Sequence, residues 1–178
     1  MTTNKYHPLL VTLHWLLALM IIAALFFGFN VLAETPNSNP EKIFMLKMHM
    51  SMGITILFLM IIRLMTRVKT DKPADADIGY PLLNKLAKAA HHSLYLVVFL
   101  MAFSGMATSK MAGLPEIVFD GKGSLPKDFS HIIPHEAHEI FGLLLALLIL
   151  GHIAAALFHQ FVRKDQLFSR MWFGKRES

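Results

Sequence analysis

Four long apolar stretches alternate with short polar ones along the chain. The first, 9–33, is broken among polar side chains only by Thr12, His14 and Asn30. The second, 43–65, carries Lys47, His49 and Ser51 near its start. The third, about 91–110, is the most diluted, by Ser93, Ser104, Thr108 and Ser109. The fourth, 135–162, follows Pro134, and proline suits the first turn of a helix. A helix needs about 20 apolar residues to cross a bilayer. The pattern therefore predicts an all-α fold, an integral membrane four-helix bundle, built as one domain over 1–178. The segments 34–41 (ETPNSNPE), 66–81 and 111–134 are rich in turn formers and read as connections. The first run, with Lys5 before it, exceeds the roughly 7–15 apolar residues of a secretory signal and reads as a retained span.

Composition sharpens the picture. Charged residues make up only 16% and apolar residues 54%, with a mean hydropathy of +0.50, whereas soluble domains carry about 25% charged residues. The absence of cysteine excludes disulfides, cysteine-ligated zinc, iron–sulfur clusters and thioether-linked haem. The net charge of +5 is mostly a matter of topology. The N-terminus, the 66–81 connection with its flanks, and the tail hold twelve of the 17 Lys and Arg residues, Lys175 and Arg176 among them. The positive-inside rule then places both termini in the cytoplasm. Basic and aromatic residues do not interleave, so nucleic acid is not an expected partner.

Ten histidines in so apolar a chain carry the chemistry. Ionisable side chains inside spans are expensive and default to functional hypotheses. His138 and His152 are fourteen residues apart on the fourth helix. Fourteen steps of 100° return to nearly the same face, about 21 Å along the axis. His14 enters with the first helix at the inner level, and His49 with the second at the outer level. Depth alone pairs His14 with His152 and His49 with His138. Two stacked bis-imidazole sites are what two b haems require, with iron held by histidine nitrogens.

The i+4 side chain shares the face of its ligand, so a flat cofactor beside a helix favours a small residue there. Ala18, Gly53, Gly142 and Ala156 occupy that position after His14, His49, His138 and His152, and none of the other six histidines is followed by a small residue. Gly53 and Gly142 are thus expected to clear space for the cofactor. Arg63, fourteen residues after His49, lies on the same face at the inner level. It is either a partner for a haem propionate or an ordinary arginine at the cytoplasmic end of a helix. His159, seven residues after His152, is either a proton donor to a quinone near the inner site or an interfacial hydrogen-bonding group. His91 and His92 open the third helix, with His91 facing inward if Tyr95 does. His131, His135 and His138 have an i, i+4, i+7 spacing that can bind an adventitious metal, and His7 belongs at headgroup level.

The motifs Leu13-His14-Trp15, KMHMSMG around His49, His138-Glu139, GHIAAALFH from Gly151 to His159, and RKDQLFSRM from Arg163 to Met171 resemble the bacterial cytochrome b561 family. The resemblance spans nearly the whole chain. It implies a multi-pass protein of the bacterial inner membrane with two haem b groups, exchanging electrons with ubiquinone or another membrane quinone. Its haem ligands carry over to His14, His49, His138 and His152, and His159 matches a further family histidine. Some members imply a sharper activity, oxidation of periplasmic superoxide with reduction of ubiquinone.

Three functions follow as expectations. A self-contained superoxide:quinone oxidoreductase could draw the anion with Lys42, Lys47, Lys110, Lys122 and Lys127, against acidic groups that include Asp120 and Glu139 on the same side. A cytochrome subunit would instead pass electrons between quinone and a partner dehydrogenase, hydrogenase-like or formate dehydrogenase-like. A non-enzymatic bundle would use its histidines only for packing or metal.

Overall fold

The computed structural model describes residues 4–74, 79–165 and 167–174. Lys175 and Arg176, counted above for orientation, lie outside them, as do Gln166 and positions 75–78 of the middle connection. Among the described residues all regular structure is helical. Helix α1 (Pro8–Phe27) continues through a π-turn, Gly28–Leu32; α2 is Lys42–Lys69 and α3 is Pro81–Met111. A short α4 (Leu114–Val118) precedes α5 (Ile133–Leu157), which ends in a second π-turn, Phe158–Arg163, before a 3-10 turn, Leu167–Met171. With their π-turns, the four long helices have 25, 28, 31 and 31 residues. At about 1.5 Å per residue, each is long enough for the ~30 Å hydrocarbon core of a bilayer.

Local sequence explains where these helices begin. The His7 ring accepts a hydrogen bond from the Leu9 amide at 3.3 Å, capping α1, and Pro8, Pro81 and Pro134 sit in first turns. Helix α3 starts about ten residues earlier than expected. Its opening turns mix exposed Leu82, Leu83 and Leu86 with Asn84, Lys85 and Lys88, an amphipathic stretch that mean hydropathy underrates. The 111–134 connection is also more ordered than its turn formers suggest. Leu114 and Val118 of α4 are buried and pack with Leu46 of α2.

The helices associate as two close pairs, α1 with α2 and α3 with α5, and α2 also meets α3. Ser104, Thr108 and Ser109, which dilute the third apolar run, prove to be buried. The Thr108 hydroxyl donates back to the Ser104 carbonyl at 2.9 Å, and small residues of this kind let membrane helices approach closely. A central cluster of Leu13, Leu17, Ile56, Met60, Val97, Val98 and Leu145 joins all four long helices. Leu145 lies seven residues from both His138 and His152, so this cluster sits midway between their levels. Outward, Leu19 is 69% exposed, Phe26 65%, Phe58 63% and Leu150 64%. An apolar surface of this extent belongs in lipid.

Candidate cofactor site

Helix α5 contributes one imidazole to each of two facing pairs. At one level the His49 and His138 ring centroids are 6.0 Å apart, with planes crossed at 83°. At the other, His14 and His152 are 6.3 Å apart, with planes crossed at 76°. Metal–imidazole bonds are about 2.0–2.1 Å. Since a ring centre lies about 1 Å behind its nitrogen, two imidazoles on opposite sides of one metal have centroids about 6 Å apart. The pairs match that spacing. Among the described residues, no group of three or more His, Asp or Glu stands close enough to hold a bare metal ion. Two imidazoles per level instead suit a metal that brings its own equatorial ligands, as haem does.

The surroundings of the two pairs differ. At the His49–His138 level, His138 Nδ1 donates to the Met101 carbonyl at 3.0 Å and lies 3.2 Å from Ser104 Oγ. That leaves Nε2 free of protein partners on α3, the arrangement in which a ligand histidine is oriented through its second nitrogen. A Cβ added at Gly105 would stand 2.9 Å from the His138 ring, so only glycine lets α3 approach so closely. Gly105 was not singled out from the sequence, because the contact is made across helices and leaves no periodic signal. Gly53 has nothing within 4 Å of an added Cβ and so borders open space. Gly142 has a different neighbour from the one expected. An added Cβ there would meet the Phe29 ring at 3.1 Å and the Met101 methyl at 3.8 Å, so its smallness serves side-chain packing in this structure.

At the His14–His152 level the partner is a cation. Arg63 Nη2 donates to His14 Nδ1 at 3.3 Å, and its guanidinium lies 5.5 Å from the centre of the Tyr95 ring. His91 is exposed, yet its ring lies 5.3 Å from that of His152, while its Nδ1 donates to the Ala87 carbonyl at 2.6 Å. His92 turns back to the Lys88 carbonyl. Buried polar atoms are almost always paired, so exceptions require an explanation. Among the described residues the buried side-chain atoms without a partner are His49 Nδ1, Arg63 Nη1 and Tyr95 Oη. One belongs to the first pair and two flank the second, as expected where a polar cofactor completes the environment.

Beyond the second pair, Trp15 lies 5.2 Å from His14 and 5.6 Å from Trp172, ring centre to ring centre, and donates from Nε1 to the Met171 carbonyl at 2.8 Å. Trp172 and Phe168 stack at 27° beside a cavity of about 360 Å³ that Lys5, Gln160 and Ser169 also line. His159, at the same end of α5, has Nδ1 2.6 Å from Asp165 Oδ2. Partial burial would raise the Asp165 carboxyl, but hydrogen bonds from His159 and Leu167, the charge of His159 and the Arg163 contact outweigh it and hold the group below the usual carboxylate range.

Two further expectations change. His131, His135 and His138 do not converge: His131 is exposed, His135 lies by Phe129 and Glu139, and His138 turns inward. Lys42 is not available to attract an anion. It is buried, and its ammonium donates to the carbonyls of Leu32 and Thr35, closing the end of the first π-turn. Lys47 lies 5.6 Å from the Phe119 ring centre, and Lys122 is 3.9 Å from Asp120.

The sequence profile of the family described as prokaryotic cytochrome b561 matches residues 5–174. The chain is 29% identical over 186 aligned positions to the probable superoxide oxidase CybB of Yersinia pestis, covering 97% of this chain and 98% of that one. It is 26% identical over 190 positions to cytochrome b561 homolog 2 of Escherichia coli K12, covering 99% and 95%. It is 28% identical over 170 positions to cytochrome b562 of Cereibacter sphaeroides, covering 93% and 94%.

Proposed function

Since the chain belongs to the prokaryotic cytochrome b561 family, an electron-transport family of bacterial membranes that binds b-type haem, we propose that it holds two haems and carries electrons across the bacterial inner membrane from superoxide to ubiquinone. The observation that carries this reading is the pair of facing imidazole couples, at centroid separations of 6.0 and 6.3 Å, served by one helix at two depths. In this reading His49 and His138 hold the outer haem, and His14 and His152 the inner one. The Lys and Arg distribution supports an orientation with both termini in the cytoplasm and the His49 level towards the periplasm. The bound haems supply one-electron redox chemistry.

The chain's own residues do the rest. Two imidazoles facing each other at each level would hold a haem between them and leave no protein-side opening for a further ligand, which suits outer-sphere electron transfer. The Met101 carbonyl and Ser104 hydroxyl fix the orientation of His138 before any cofactor arrives. Arg63 has a different task. An imidazole bound to iron through Nε2 carries its proton on Nδ1, where a guanidinium can no longer donate. Arg63, whose Nη1 has no partner, would then be free to pair with a carboxylate of the bound cofactor. Trp15 and Trp172 bridge from His14 towards the cavity lined by Lys5, Gln160 and Phe168, where a quinone ring finds aromatic faces and polar donors. His159 supplies protons at that end. Two superoxide ions give two electrons and leave as oxygen, and one ubiquinone takes those electrons with two cytoplasmic protons to become the quinol.

The test is a superoxide pulse delivered to the purified, oxidised protein in a stopped-flow spectrometer. Rapid appearance of reduced b-haem bands, followed by reoxidation on adding ubiquinone, is the expected result. A protein that carries two haems per chain and ignores superoxide refutes the donor assignment and is instead a cytochrome subunit fed by a partner dehydrogenase.

A further inference from the structure

The inner end of α5 is shaped in an unusual way. Its last turn widens into a π-helix over Phe158–Arg163, a form most often found at functional sites. Lys164 then adopts φ 55°, ψ 32°, making it the one residue other than glycine with positive φ among those described. A lysine gains nothing locally from a left-handed conformation that glycine adopts more readily. What the turn achieves is to fold the next residue, Asp165, back onto the helix end. Its Oδ2 lies 2.6 Å from His159 Nδ1, while Arg163 Nε donates to the same oxygen at 3.3 Å and the Leu167 amide donates to Oδ1 at 3.4 Å. The carboxylate is thus held from three directions, and it remains partly open, its side chain 29% exposed against 14% for His159.

We infer that Asp165 is a positioning residue for quinone reduction: its carboxylate fixes the His159 ring with Nδ1 as the donor and Nε2 presented to the quinone oxygen. The inference rests on the reading of His159 given above. A carboxylate that takes the Nδ1–H of a histidine, even one partly open to solvent as Asp165 is, sets both the tautomer and the orientation of the ring, and it balances the imidazolium that forms while a proton passes through Nε2. Reduction of one quinone takes two electrons, which the haem held by His14 and His152 would supply, and two protons. Two protons pass in turn from cytoplasmic water through His159 Nε2 to the quinone oxygens. Asp165 keeps its charge throughout and is neither consumed nor protonated in the net reaction. Arg163, on the far side of the carboxylate, holds the aspartate in register.

The experiment uses the full, haem-loaded chain in detergent, reduced with a stoichiometric amount of dithionite and mixed with a short-chain ubiquinone. Haem reoxidation is followed across quinone concentrations. Asp165→Asn is expected to lower the saturating rate tenfold or more while leaving the half-saturating quinone concentration and the haem spectrum unchanged. Asp165→Glu is expected to restore most of that rate, which a merely structural role would not predict. Nitrogen-15 NMR of histidine-labelled protein provides a readout independent of turnover: a His159 signal, identified by its loss in His159→Ala, with the proton on Nδ1. Should Asp165→Asn fail to bind haem, the wild-type tautomer still decides, and a proton on Nε2 with bare Nδ1 overturns the inference. Wild-type rates in Asp165→Asn alongside slow reoxidation in His159→Ala overturn the role of Asp165 alone. Wild-type rates in His159→Ala overturn the His159 reading and the inference with it.

Discussion

The two imidazole pairs use the same residue type and each takes one member from α5, yet their neighbours have opposite character. The His49–His138 pair is held by neutral contacts: the Met101 carbonyl and the Ser104 hydroxyl at His138 Nδ1, and glycines close to both rings, Gly105 at His138 and Gly28 at His49. The His14–His152 pair is surrounded by groups that carry or share charge, with Arg63 on His14, Tyr95 under Arg63, and His91 against His152. A carbonyl that accepts the second N–H of a ligand histidine strengthens its donation to the metal, whereas a nearby cation favours the reduced state of a metal centre. The difference teaches that one ligand set can give two sites of unequal electron affinity. In the proposed orientation, this favours passage from the outer level to the inner.

The most severe way to break this comparison is to remove a ligand. His138→Ala is expected to halve haem content, with the inner haem spectrum retained, as read by pyridine haemochrome assay; equal loss at both levels would contradict the pairing. Gly105→Ala comes next. Its added Cβ, 2.9 Å from the His138 ring, forces the imidazole or α3 to move. Overpacking of this kind costs about 1–3 kcal/mol, so outer haem occupancy and thermal stability should both fall while inner haem content holds. Arg63→Gln sharpens the comparison without removing a ligand. The inner haem should remain bound, with its midpoint potential lowered by about 59 mV if reduction weakens tenfold, and potentiometric titration would show an unmoved outer wave. Ser104→Ala is the mildest, because the Met101 carbonyl remains at 3.0 Å from His138. Loss of one hydrogen-bonding neighbour, worth about 0.5–1.5 kcal/mol, should slightly broaden the outer haem signal in low-temperature EPR.

The parts of this fold that obey a period were legible in the sequence. Apolar runs long enough to span revealed the four helices, and fourteen residues of helix fixed the levels of His138 and His152. Periodicity also put Arg63 at the level of His14. Contacts made across helices were not legible in this way. Gly105 and Met101 meet His138 from α3, whose register relative to α5 no local pattern reveals. The i+4 rule treats Gly53 and Gly142 alike, whereas only Gly53 borders open space, because Phe29 arrives at Gly142 from the π-turn after α1. Asp165 was invisible for a related reason. Its approach to His159 depends on a π-turn and a left-handed lysine, both departures from regular geometry. Lys42 shows the same limit from the opposite side: it looks like a surface cation and is buried against backbone carbonyls.

The packed layer around Leu145, with Leu17, Ile56, Met60 and Val97, closes the bundle at mid-depth. Buried apolar side chains offer no hydrogen-bonding partners to water or protons, whereas the passage of an electron needs none. In the proposed orientation each electron therefore moves inward with no compensating ion, towards the side that is negative in a respiring cell. Full passage of one charge works against about 2.3 kcal/mol per 100 mV of membrane potential. Disposal of superoxide by this chain would charge the membrane, and a highly energised membrane would in turn slow it.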